Sequence, residues 1–232
     1  MTILREIKYS RQDCIAAVRD YYQFLAMMYL DENLVLEPPE GGWPSITDEA
    51  MLAIGKDKTV ASLLRHLPYL ARPTTFGSES EPIPFLFCAN WAHNCAQIKA
   101  GRLKAEGVRD TSQACMDAER VPPHVVGLTS GGRDTSAVLL DTKLGVIFFP
   151  KCHGDIMVDP YREGVLDNLY NYAPENEADW RASGGCWAIT DFFEVLKHEF
   201  RKLSFVPLNT RIVLEIYSAK LEEVIPMVQE IY

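Results

Sequence analysis

The chain has 232 residues, 47% hydrophobic and 24% charged, proportions of a globular protein rather than a disordered or fibrous one. Its 32 acids against 23 bases leave a net charge of −9, which argues against broad non-specific nucleic-acid binding and leaves room only for a local basic patch. Six cysteines are scattered without a CxxC pair, no apolar run approaches the ~20 residues that span a bilayer, and the start is polar from the fifth residue, so reduced thiols, a cytoplasmic location and no membrane partner are expected.

Ser10 followed by Asp13 has the capping-box pattern, and Ile15, Val18, Tyr22, Leu25 and Met28 recur at helical spacing, which predicts a helix over 13–30. Thr47, Asp48 and Glu49 start a short helix that Gly55 ends, and TVASLLRHLPYL gives another, stopped by Pro68. Residues 71–84 are rich in Pro, Ser and Glu and read as a loop suited to a mobile flap. FLFCANW (85–91) is a short apolar strand, and the weakly helical stretch after it carries Lys99, Arg102, Lys104 and Arg109, a solvated face or a phosphate-binding patch.

Three apolar runs, HVVGLT, SAVLLDT and GVIFFP, lie between 124 and 150 and are separated by the turn-type segments SGGRD and DTKLG. An antiparallel meander is the simplest reading. VLL and VIFF show little in/out alternation, so both faces of the sheet should be covered.

From Asp155 to Trp180 the chain holds seven acids against one base, Arg162, with Tyr161, Tyr170, Tyr172 and Trp180 among them. That segment is either a solvated loop or a pocket for a cation, since carboxylates pair with a guanidinium in parallel and aromatic faces attract its charge. CWAI (186–189) extends the sheet and feeds a helix over 192–203, with Asp191 as N-cap and Glu194 completing the box. Phe193, Leu196, Phe200 and Leu203 form its buried stripe, while Lys197, His198, Arg201 and Lys202 fall on the solvent side. RIVLEIY and LEEVIPMVQEIY read as closing helical pieces broken at Pro226. The expected fold is a single α+β domain: a helical part over 1–70, a mostly antiparallel sheet core over 85–190 and C-terminal helices over 191–232.

No phosphate-loop, dinucleotide-binding, nucleophile-elbow or zinc-protease motif is present, and neither a metal nor another cofactor is expected. Cys152, His153 and Asp155 are the one concentration of reactive side chains, just past a strand end, and form the candidate catalytic set. A packed cysteine beside an exposed histidine is the plainer alternative. The turn bearing Arg133 and Asp134 is either a hairpin turn or a glycine-opened cradle for an anion. Asp191, Glu194, Arg133, Asp134, Tyr172 and Trp91 make up the candidate substrate-binding set.

GGWPSIT (41–47), LLRHLPY (63–69), VPPHVVGLTSGGRD (121–134), LLDTKLGVIFF (139–149), NYAPENEADWR (171–181) and AITDFFEVLKHEFRKLSFVPL (188–208) resemble a large family of fungal intracellular proteins. The strand–turn–strand core followed by the DFFEVL helix also resembles the SUKH superfamily, an α+β fold that includes a fungal cell-wall synthesis regulator and bacterial toxin-immunity proteins. In size and general look the chain is similar to the fungal arginine-containing cyclodipeptide synthases of secondary metabolism, which join arginine to a second amino acid, both drawn from aminoacyl-tRNA. Their acidic DDxxE-type pattern has its nearest match in Asp191-Phe-Phe-Glu194, with Thr190 where a second Asp would stand. This resemblance implies a tRNA-dependent enzyme. The SUKH resemblance implies instead a non-enzymatic module that binds a protein partner or regulates one. A deep pocket lined by Asp or Glu favours the first, and a surface without convergent acids the second.

Overall fold

A computed structural model describes residues 2–72, 79–113, 121–131, 136–152, 154–157 and 161–216. Arg133, Asp134, His153, the centre of the expected flap and the segment around Pro226 lie outside the described residues.

The architecture is mixed α+β, with antiparallel strand pairs throughout. Helix α1 (Arg11–Met28) starts where the sequence signals it, because the Ser10 hydroxyl accepts a hydrogen bond from the Asp13 amide. It buries Ile15, Val18, Tyr22 and Leu25, with Tyr21 completing the face in place of Met28, which is exposed. Helix α2 (Asp48–Ile54) is capped by Thr47 and ends at Gly55, whose φ of +84° fits the left-handed stop. Helix α3 (Lys58–Leu64) follows from the Asp57 cap, α4 (Trp91–Lys99) from the Asn90 cap, and α5 (Ala105–Ser112) after a short turn.

The central sheet has the order β4 (Val125–Gly127), β6 (Leu139–Asp141), β7 (Val146–Pro150) and β8 (Gly184–Ala188), all antiparallel. This is the expected meander extended by one strand. The missing alternation in its sequence has a direct cause, because successive residues enter two different apolar clusters. Val126, Leu140, Ile147, Phe149 and Trp187 face α1 and the helix after β8, whereas Val125, Leu139, Val146, Phe148 and Cys186 face Trp180. Three two-stranded pairs lie outside it: β1 (Val35–Leu36) with β2 (Tyr69–Leu70), β3 (Phe87–Cys88) with β5 (Thr129–Ser130), and β9 (Phe205–Pro207) with β10 (Val213–Glu215). Gly127 marks a close approach: a Cβ there would stand 1.9 Å from the Ser112 carbonyl oxygen, so only glycine lets the end of α5 rest on β4.

Four expectations change. Helix α8 (Ile189–Arg201) begins straight out of β8 with Ala188 at the N-cap, so Asp191 sits in the first turn and is not the cap. Lys197 is buried rather than solvated, because its ammonium lies between Asp20 of α1 and Glu194. Residues 213–215 form strand β10, not a helix. Asn209 organises the preceding turn by accepting from the amides of Arg211 and Ile212, which returns the chain onto β9. The strand expected over 85–91 is likewise confined to Phe87–Cys88, since Asn90 already opens α4.

Lys56, just after Gly55, is 3% exposed and has no acid within ion-pair distance among the described residues. Burial, and then the nearby Arg109, push its amine down from 10.5 to about 7. A lowered amine pKa means that folding disfavours the charged form, so the penalty is absent above the unfolded value, grows as pH falls, and is complete below about 7. Lys56→Met is therefore expected to raise the melting temperature most at and below pH 7. The advantage should shrink towards pH 10, as measured by calorimetry in a phosphate-free buffer.

Candidate functional site

The acidic, aromatic segment does hold a guanidinium, and it is the chain's own. Helix α7 (Glu175–Ala182) carries Arg181, buried against the second face of the sheet. Its Nε and Nη2 donate to Glu177 Oε2 at 3.0 and 2.7 Å, and its Nη1 donates to Asp141 Oδ2 at 2.9 Å. The guanidinium carbon lies 4.5 Å from the Trp180 ring centre and 4.8 Å from that of Phe148. The other oxygen of Asp141 accepts from the amides of Lys143 and Leu144, which fixes the β6–β7 turn. Carboxylates and aromatic faces thus meet as the composition suggested, and the cation is already covalently present.

Asp191 and Glu194 are also matched internally. Asp191 faces the Arg162 guanidinium at 3.4 Å, and Glu194 pairs with Lys197 at 2.8 Å and Arg201 at 3.5 Å. Desolvation raises the Glu194 carboxyl pKa, but the hydrogen bond and charge of Lys197 and the charge of Arg201 outweigh it and leave the carboxyl below its usual value. Tyr161 stacks on His198 of α8 with ring centres 4.2 Å apart, so the acidic segment is docked on that helix. Trp91 is fully buried, with its indole N–H donating to the Gly127 carbonyl at 3.0 Å. Tyr172 lies beside the Arg181 cluster; burial and then Cys186 raise its pKa, and its hydroxyl has no hydrogen-bond partner among the described residues.

Cys152 follows β7 and is buried, and burial, then Glu199 and Glu215, push its thiol up to about 12. At neutral pH it is protonated, the opposite of an activated nucleophile. Asp155, on helix α6 (Gly154–Met157), is exposed. A cavity of about 250 Å³ opens beside Cys152, lined by its neighbour Lys151 with Ile156, Ser136, Phe85 and Glu215. Lys151 and Phe85 both hold left-handed backbone, at φ +58° and +63°, a strained choice for residues with side chains.

A larger cleft, about 530 Å³, lies between the ends of β2 and β5, strand β3 and the start of α4. Asn90, Asn94, Arg72, Glu79, Thr111 and Ser130 contribute its polar lining and Leu70 and Phe87 its apolar wall. The Asn90 carboxamide is engaged on both sides, donating to the Leu70 carbonyl and accepting from the His93 amide. Asn94, one turn along, is 7% exposed and has no side-chain hydrogen bond among the described residues. Arg72 has no ion-pair partner among them either, and together with burial it lowers the His93 imidazole pKa, burial being the larger cause. The sequence reading passed over Asn94. Its signal was an asparagine placed four residues after another on a helix face otherwise made of Trp91, Ala92 and Cys95.

Comparison of the chain with protein-family models, with curated proteins and with solved structures finds no match. Among the described residues no helix is long and apolar enough to cross a membrane.

Arg181→Ala is expected to cost about 3–5 kcal/mol of folding stability, because it leaves two buried carboxylates without their cation. Removing Glu177 as well, in Arg181→Met with Glu177→Met, should recover part of that loss in urea unfolding. By contrast Asp191→Ala, which breaks a half-exposed pair, should change stability by at most about 1 kcal/mol.

Proposed function

We propose that this chain is a SUKH-like binding module without chemistry of its own, and that a small polar molecule occupies the cleft at Asn94. The observation that carries the reading is Asn94, a residue only 7% exposed that lines the 530 Å³ cleft and whose side chain makes no hydrogen bond among the described residues. Its amide can donate to and accept from a ligand in the cleft without giving up an internal hydrogen bond. Arg72, Glu79 and Ser130 in the same lining supply charge and a hydroxyl to fix its orientation, and the volume suits a metabolite-sized guest. The strand order with a helix leaving the last strand directly also supports the SUKH-like assignment.

The alternative, cyclodipeptide formation from arginyl-tRNA and a second aminoacyl-tRNA, asks the acids to receive an incoming guanidinium. That guanidinium would have to displace Arg162 from Asp191, or Lys197 and Arg201 from Glu194, each held at high effective concentration by the fold. The catalytic set would have to work from a protonated, buried thiol and an exposed carboxylate. A synthase would also need basic residues for the acceptor end of tRNA; Lys99, Arg102 and Lys104 are exposed, but Lys197 is committed to Asp20 and Glu194.

Native mass spectrometry tests the proposal: folded protein incubated with a cell-derived small-molecule extract should carry a noncovalent adduct. Asn94→Leu, shown to melt cooperatively, should lose it. An adduct retained by that variant, or none in the wild type, contradicts the reading. The medium of an expressing host should contain no arginine-bearing cyclic dipeptide, and its appearance would establish the synthase instead.

A further inference from the structure

A second group of orphaned polar atoms lies where α2 meets α5. Among the described residues the Nε of Arg109 and both carboxamide atoms of Gln113 are buried without a hydrogen bond, and Lys56 is buried without an ion-pair partner. Arg109 lies in the last turn of α5 and Gln113 is its C-cap. Lys56 follows Gly55 at the end of α2, and Arg109 Nη1 lies 3.9 Å from where a Cβ on Gly55 would stand. The acids nearby are otherwise placed. Asp57 caps α3 by accepting from the Val60 amide, and Asp110 is exposed, its nearer oxygen 3.8 Å from Arg109 Nε, beyond hydrogen-bond distance.

A buried amine, a buried amide without a hydrogen bond and the Nε of a partly exposed guanidinium whose nearest acid is the exposed Asp110 therefore lie at one contact, an arrangement that an anion would complete. We infer that the α2–α5 contact binds a small free oxyanion of phosphate or sulfate size, held by Lys56, Arg109 and the amide N–H groups of Gln113. Its enclosure selects against an anion carried on a larger molecule, since Gln113 is 0% and Lys56 3% exposed. Binding is linked to a proton. Without the anion, the amine of Lys56 is largely neutral above pH 7; beside a negative charge the ammonium is favoured, so the complex takes up a proton as it forms.

The experiment compares melting and calorimetric titration at pH 8 with inorganic phosphate, with glycerol phosphate, and with chloride at matched ionic strength. Inorganic phosphate should raise the melting temperature saturably. Its binding heat should vary with the ionisation enthalpy of the buffer in the sense of proton uptake, and glycerol phosphate should do no more than chloride. Lys56→Met should fold and lose the response, which separates site binding from the general stabilising effect of phosphate. Gln113→Leu should weaken binding at least tenfold. No saturable rise over chloride, an undiminished response in Lys56→Met, or equal stabilisation by glycerol phosphate would each overturn the inference.

Discussion

A guanidinium taken out of water must be met on several sides at once, and Arg181 is met by Glu177 one turn back, by Asp141 forty residues away, and by the faces of Trp180 and Phe148. Each partner belongs to a different piece of the fold. Glu177 and Trp180 lie on α7, Phe148 on β7, and Asp141 at the end of β6, where its second oxygen also holds the turn into β7. The cluster therefore fixes where the helix lies, how it is rotated and how the two central strands are joined. Its value lies less in net stability, because desolvation offsets much of the attraction, than in admitting one arrangement of these elements.

That arrangement covers the second face of the sheet, and α1 with α8 covers the first. The contact of α1 with α8 has its own buried cation, Lys197, reached by Asp20 from one helix and Glu194 from the other. Charge in this acidic protein is thus largely used to position helices. The cleft beside α4 is lined by a different mixture, Asn94 and Arg72 with Glu79 and Ser130.

Much of the scaffold was legible because its signals are local. Ser10, Thr47 and Gly55 cap the helices they were expected to cap, and the unbroken apolar runs of the meander became strands covered on both sides. Errors arose where a local signal met a longer-range one. Asp191 has the look of an N-cap, yet β8 passes into α8 three residues earlier, and RIVLEIY became a strand because the Asn209 turn brings it back onto β9. The site was far less legible. Counting acids as far as Trp180 stopped one residue short of the base that pairs with Glu177, and nothing in the sequence ties Arg181 to Asp141. Asn94, Lys56 and Gln113 stand out only through missing partners, a property of packing and not of pattern.

The central claim is that the guanidinium recognised by the acidic segment is Arg181 itself. It is tested most directly by following the Arg181 Nε–H resonance in protein labelled with ¹⁵N-arginine while free arginine is added. A closed internal cluster predicts a slowly exchanging, dispersed signal, assigned by its loss in Arg181→Lys, that millimolar arginine leaves unmoved. Rapid exchange with solvent, or a saturable shift of that signal as arginine is added, would show that the carboxylates are open to an outside ligand and would contradict the account.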